Sequence, residues 1–162
     1  MFRYVFVLLA LAALSGCAGS KFQSYNGPDV TNVLVFKEER MMHLLHHDQI
    51  LRSYEFELGF APIGNKDQEG DGRTPEGTYF VDRRNPNSDF HLSIGINYPN
   101  EEDLAEAEAL GVDPGGDIFI HGTPRRFRKQ DDWTWGCIAV TNREMEEIYA
   151  MVQDGTQVNI FP

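Results

Sequence analysis

Residues 117–140 read DIFIHGTPRRFRKQDDWTWGCIAV, and the two ends of this stretch decide how the rest of the chain is read. Ile118, Phe119 and Ile120 form an apolar run that delivers His121 and Gly122; beyond a polar loop, Thr134, Trp135, Gly136 and Cys137 precede a second apolar run, Ile138 to Val140. Short runs of this composition read as buried strands. A thiol attacks only as thiolate, and a neighbouring imidazole is the usual way to make one. Gly136 permits close backbone approach, so amides from Trp135 to Cys137 can converge on an oxyanion. Cysteine also serves as a small buried hydrophobe. An unpaired thiol behind a glycine, with a histidine-glycine pair upstream, is not explained by packing alone.

Working outward, Val33 to Phe36, Met41 to Leu45 and Ile50 to Leu58 read as an antiparallel meander, the last two separated by His46, His47, Asp48 and Gln49. Gly59 to Gly77 is rich in Gly, Pro, Asp and Asn and reads as a long loop. Gly77 to Val81 and Phe90 to Ile96 are further strands, and Thr156 to Phe161 closes the chain with Val158 and Ile160 alternating against polar neighbours. Asn100 caps a helix that Gly111 stops. Thr141 and Glu144 have capping-box spacing ahead of Met145, Ile148, Tyr149 and Val152. The expected fold class is mostly β with flanking helices (α+β).

With 162 residues, 41% hydrophobic and 24% charged, the chain is sized for one globular domain. Its net charge of -11 argues against a nucleic-acid partner. Two cysteines, Cys17 and Cys137, are too few for a disulfide framework. The apolar run from Tyr4 to Leu14 has the form of a signal peptide. As a helix it would span about 16 Å, short of the ~30 Å hydrocarbon core. Leu14, Ser15, Gly16 and Cys17 resemble a bacterial lipobox, which implies acylation of Cys17; Ala18 after it implies sorting to the outer membrane. An ordinary cleaved signal, or a disulfide between Cys17 and Cys137, is the alternative. The expected division is a signal peptide over 1–16, a lipidated tether over 17–30 and a catalytic domain over 31–162. An acidic body is repelled by anionic headgroups, so acyl chains would do the holding.

His121, Gly122, Thr134, Gly136 and Cys137 together resemble the signature of the L,D-transpeptidase (YkuD-type) family. Gly70 to Tyr79 (GDGRTPEGTY) is similar to a second characteristic stretch of that family, and Ile96 to Pro99 to its Asn-Tyr-Pro segment. The resemblance implies a β-sandwich or barrel of the L,D-transpeptidase catalytic-domain type and a periplasmic location, without a cofactor or metal. It implies a Cys137 nucleophile that acylates on peptidoglycan stem peptides with release of D-Ala, and His121 as base, oriented by the Gly122 carbonyl. Trp135 and Gly136 would supply the oxyanion hole, and Thr134 would shape the turn. The chain departs from many members in having Trp135 before the Gly-Cys pair and Ala139 two residues after the cysteine. Resolution of the acyl-enzyme by water, as in an L,D-carboxypeptidase or endopeptidase, is an alternative. So is a catalytically silent wall-binding lipoprotein. NlpC/P60-type peptidases are disfavoured, because they place cysteine before histidine.

Other candidates surround this core. Arg125, Arg126, Arg128 and Lys129 reverse the acidic field locally and could attract stem-peptide carboxylates, although Asp131 and Asp132 partly offset them. Trp133 and Trp135 either wall the cleft or pack the core. His91, expected on a strand, is a candidate substrate contact or a satisfied strand histidine. His43, His46 and His47 lack accompanying carboxylate or thiol at ligand spacing. Asp67, Glu69 and Asp71 lack the calcium-loop pattern. A monomer is expected.

Overall fold

The computed structural model describes residues 20–162; the expected signal peptide and Cys17 lie outside the described residues. Eight strands follow one another: β1 (Asn32–Phe36), β2 (Met41–His46), β3 (Gln49–Glu55), β4 (Gly77–Asn85), β5 (Ser93–Ile96), β6 (Phe119–Gly122), β7 (Ile138–Val140) and β8 (Gln157–Phe161). Among the described residues, two helices, α1 (Glu101–Leu110) and α2 (Asn142–Met151), and a 3-10 turn at Arg125–Phe127 accompany the strands.

The strand order is β3-β2-β1-β8-β4-β5-β6-β7. The meander β1-β2-β3 is antiparallel as the sequence predicts. β8 inserts between β1, to which it runs parallel, and β4, to which it runs antiparallel. Past the end of β3 the chain bridges β7 through Glu57 to Ala139, and Gly59 bridges Thr134, so the sheet curls into a nearly closed barrel. Alternation dictates what the barrel encloses: Val33 and Val35 of β1, Tyr79 and Val81 of β4, and Val158 and Ile160 of β8 point inward, while their neighbours, Leu34, Phe80 and Asn159 among them, turn outward. β5 has all four residues buried.

The helix signals hold in detail. Asn100 accepts from the Glu102 and Asp103 amides, and the Asp103 carboxylate returns to the Asn100 amide at 2.8 Å. Asp103 also accepts the buried Tyr79 hydroxyl at 2.9 Å, which docks α1 on β4. Gly111 ends the helix at φ 69°, a left-handed conformation that suits glycine. Thr141 and Glu144 form the capping box of α2, whose Met145, Ile148 and Met151 are buried.

The loop following β3 is fixed by two buried ammonium groups. Lys37 donates to the Gly64 carbonyl (2.6 Å), the Thr74 carbonyl (3.2 Å) and Glu76 (2.7 Å). Lys66 donates to the Gln68 carbonyl and to Asp71, each at 2.9 Å. Buried cations must be paired in this way, because an unpaired one would be strongly penalised. The polar stretch read as tether is also held from Lys21 onward. Lys21 donates to the Pro86 and His91 carbonyls (2.6 and 3.0 Å), and Gln23 donates to Glu146 (3.2 Å).

Candidate active site

The two ends of the 117–140 stretch meet because β6 and β7 are parallel neighbours, with Ile120 opposite Ile138 and His121 opposite Ala139. One step earlier, Phe119 is level with Cys137. Side chains alternate along a strand, so Phe119, His121, Cys137 and Ala139 share one face of the sheet. The strand predicted to end at Ile120 instead includes His121 and Gly122.

The turn before Cys137 is built around Thr134. Its hydroxyl donates to the Cys137 carbonyl at 2.7 Å and accepts the Gly136 amide at 3.2 Å. Thr74, fully buried, donates its hydroxyl to the Gly136 carbonyl at 2.8 Å. Gly136 has φ 119°, and a Cβ there would lie 2.4 Å from the Arg73 carbonyl oxygen, so both conformation and space require glycine. Among the described residues, the Trp135 and Cys137 amides make no hydrogen bond, whereas the Gly136 amide is committed to Thr134. Trp135 is 71% exposed and meets Phe60 edge-on at 5.0 Å, so it stands at the mouth of the turn and not in the core.

His121 is buried, and its Nδ1 lies 2.8 Å from the Gly122 carbonyl oxygen. A carbonyl only accepts, so the proton must sit on Nδ1 and the Nε2 lone pair is free. Gly122 has no room for a side chain: a Cβ would be 2.6 Å from Asn142 Oδ1 and 2.8 Å from the Phe90 carbonyl oxygen. The ring is packed by Phe90 at 4.4 Å and Trp133 at 5.5 Å, and Phe127 stacks on Trp133 at 4.2 Å. Burial in this aromatic shell lowers the imidazole pKa to about 4, with the Gly122 hydrogen bond acting in the opposite sense. His121 is therefore neutral at pH 7.

Cys137 is a free, half-buried thiol among the described residues. Its Sγ donates to the Asp117 carbonyl at 3.5 Å. Burial pushes the thiol pKa up, against the Phe119 amide that faces the sulfur. At rest, then, the thiol is protonated and the imidazole on the neighbouring strand is neutral.

The remaining candidates fall elsewhere. His91 is not on a strand: β5 begins at Ser93, and His91 sits in a turn at φ 77° with Nε2 2.8 Å from Glu146 Oε1. A polar residue in a tight left-handed turn cannot extend the ladder, which is why the apolar run over-read the strand. Arg125 and Arg126 lie exposed on the 3-10 turn, where Arg126 covers the Phe127 ring at 4.7 Å. Asp132 does not offset them. It forms a two-pronged ion pair with Arg40 at 2.5 and 2.9 Å, which pins the chain just before Trp133.

A cleft of about 1270 Å3 adjoins the site, bordered by His91, Phe127, Arg128 and Asn142. Trp133 lines it and touches His121, while neither His121 nor Cys137 is in its wall. The sequence singled out Trp133 but not Phe90 or Phe127. Only the folded chain identifies them, Phe90 through its packing on His121 and Phe127 through its stacking on Trp133.

The YkuD family, described as the L,D-transpeptidase catalytic domain, matches residues 31–160. YafK of Escherichia coli (strain K12), whose naming as an L,D-transpeptidase is provisional, is 32% identical over 143 residues, covering 80% of this chain and 53% of that protein. The chain thus spans about half the length of the curated relatives it matches. Among solved structures, the helical cell shape determining protein Pgp2 from Campylobacter jejuni superposes with a TM-score of 0.64 at 27% identity, over 88% of this chain and 51% of that one. Mycobacterium tuberculosis L,D-transpeptidase 1 superposes with a TM-score of 0.53 at 12% identity, over 83% of this chain and 62% of that one, a likeness of fold. With the family match running from the start of β1 through β8, across the turn that carries Cys137, the chain belongs to the YkuD family of L,D-transpeptidase catalytic domains.

Proposed function

We propose that residues 31–162 are a cysteine L,D-transpeptidase that acts on peptidoglycan stem peptides. The observation that carries the reading is the shared sheet face of Cys137 and His121, with the imidazole tautomer fixed by the Gly122 carbonyl. Cys137 Sγ attacks the carbonyl of the third stem residue while its proton passes to His121 Nε2. The Trp135 and Cys137 amides receive the oxyanion; Gly136 contributes its conformation, because its amide serves the turn. Collapse expels D-Ala, whose amine takes the proton back from the imidazolium, and a thioester remains on Cys137. An acceptor amine then attacks that thioester, His121 removes its proton, and the thiol is restored.

A neutral thiol beside a neutral imidazole suits this order of events, since charge separates only when substrate is present and solvent is displaced. Peptidoglycan as the polymer is supported by the likeness to a protein named for determining helical cell shape. Acylation of Cys17 would hold the domain in the periplasm at the outer membrane. Loss of palmitate labelling in Cys17→Ser is the expected result, and retained labelling would overturn the anchor.

Intact mass spectrometry with a tetrapeptide muropeptide or a carbapenem tests the chemistry. A covalent adduct on the wild type and none on Cys137→Ala is expected; no adduct on the wild type, or equal adducts on both, refutes the assignment. The muropeptide profile of a deletion strain then separates outcomes: lost cross-links mean transfer, lost tripeptides mean hydrolysis, and no change means a silent wall-binding protein.

A further inference from the structure

Arg83 stands in the same transverse row of the sheet as Cys137. On β4 it faces Gly95 of β5, Gly95 faces Phe119 of β6, and Phe119 is level with Cys137. Residues directly opposite one another share a face, so the arginine, the phenyl ring and the thiol project to the same side. Gly95 adds no side chain to the row. A Cβ there would lie 2.6 Å from both Cγ and Nε of Arg83 and 3.0 Å from the Phe119 ring. The arginine lies across that gap, with its guanidinium 4.7 Å from the Phe119 ring centroid, and so reaches toward the nucleophile.

Its hydrogen-bonding capacity is poorly used. Nη1 meets Asp82 and Nη2 meets Asp117, each at 3.3 Å, long beside the ~2.7–2.9 Å of a well-formed charged pair. Nε is buried with no partner. The Asp117 carboxylate is 88% exposed, an arrangement in which a surface ion pair contributes little and is easily exchanged.

We propose that Arg83 binds a carboxylate of the acyl donor, exchanging its Asp117 contact for a two-pronged pair that also engages Nε. This rests on Cys137 being the nucleophile. Strands are ~4.8 Å apart, and the guanidinium lies within two strand spacings of Cys137. A carboxylate held there is one or two extended residues from the carbonyl under attack, at ~3.3–3.6 Å per residue. Two donor carboxylates meet that description: the C-terminus of the leaving residue and the side chain of the third residue.

The test measures Cys137 acylation with three synthetic tetrapeptides: the free acid, its C-terminal carboxamide, and the third-residue side-chain carboxamide. Each is compared on the wild type, on Arg83→Met, which keeps the stem over Gly95 and Phe119, and on Arg83→Lys, which keeps charge without the fork. Arg83→Met is expected to lower kcat/KM for the free acid at least tenfold, chiefly through KM, with Arg83→Lys in between. One carboxamide should be slow on the wild type and within threefold of it on Arg83→Met, which identifies the bound carboxylate. Arg83→Met within threefold of wild type on the free acid overturns the inference. Equal slowing of all three donors also overturns it, because that is the signature of a damaged fold. A wild type that turns over none of the donors refutes the thiol reading itself.

Discussion

Replacing His121 by asparagine should remove a defined share of the pH dependence of stability. Asparagine places its amide nitrogen where Nδ1 stands, so the hydrogen bond to the Gly122 carbonyl is retained while the titration is lost. In the folded chain the imidazole takes a proton only near pH 4, against 6.5 for an unperturbed histidine. Between those values the unfolded chain binds the proton and the folded chain does not, so acidification favours unfolding. The contribution of the neutral ring is fully present above pH 6.5 and lost as the pH falls toward 4, a total on the order of 3 kcal/mol at ~1.36 kcal/mol per unit. The ring is 3% exposed, so solvent screening removes little of this. Because the pI is about 4.8, the experiment should stop at pH 5.5 to avoid the solubility minimum. From pH 8 to 5.5, wild type should lose about 1.4 kcal/mol more than His121→Asn. At a urea m-value of ~2 kcal/mol/M, that is a midpoint difference of about 0.7 M, readable from tryptophan fluorescence. Buried acids such as Asp103 titrate in both proteins and cancel. Equal losses in the two, within ~0.3 kcal/mol, would show that the aromatic shell does not exclude the charged ring.

Three further outcomes follow from the turn. Gly136→Ala, with φ 119° and a Cβ 2.4 Å from the Arg73 carbonyl oxygen, should lower stability by about 3 kcal/mol or more and abolish the acyl adduct; urea titration and mass spectrometry read both. Thr134→Val keeps the shape but removes the 2.7 Å bond to the Cys137 carbonyl and the acceptor for the Gly136 amide. It should cost about 1–3 kcal/mol and slow acylation at least tenfold, and a wild-type acylation rate would show that the hydroxyl does not set the nucleophile. Alkylation of Cys137 by iodoacetamide should keep rising past pH 9, since burial pushes its thiol up; a rate plateau near neutrality would mean a resting thiolate-imidazolium pair.

Local signals were legible. The capping pairs Asn100 with Asp103 and Thr141 with Glu144 set both helix starts, short apolar runs revealed β1 and β2, and alternating apolar residues revealed β8. The His121-Gly122 and Thr134-to-Cys137 patterns marked the candidate site because each is a short stretch with its own conformational demand. What could not be read depends on register between distant segments. Nothing in Val158 and Ile160 says that β8 lies between β1 and β4, and nothing in Arg83 says that it shares a row with Cys137. Phe90 looks like any strand residue until its turn brings it against His121. Lys37 and Lys66 mislead outright, since lysine ordinarily marks a surface and here the surrounding carbonyls and carboxylates bury it. Arg125 and Arg126 are exposed as their charge predicts, but charge near a site in sequence carries no direction in space.

The position of β8 makes it the seam of the molecule. β1 to β3 form one half-sheet and β4 to β7 another, and in the strand ladder the halves join through Gln157–Phe161. A chain emerging in order from its N-terminal side can form either half early, yet each keeps an open, apolar edge until residue 161 is available. Such edges recruit other strands. A polypeptide built this way stays unfinished while it is being made. It also means that trimming a few residues from β8 would split the sheet along its middle and would not merely fray a rim.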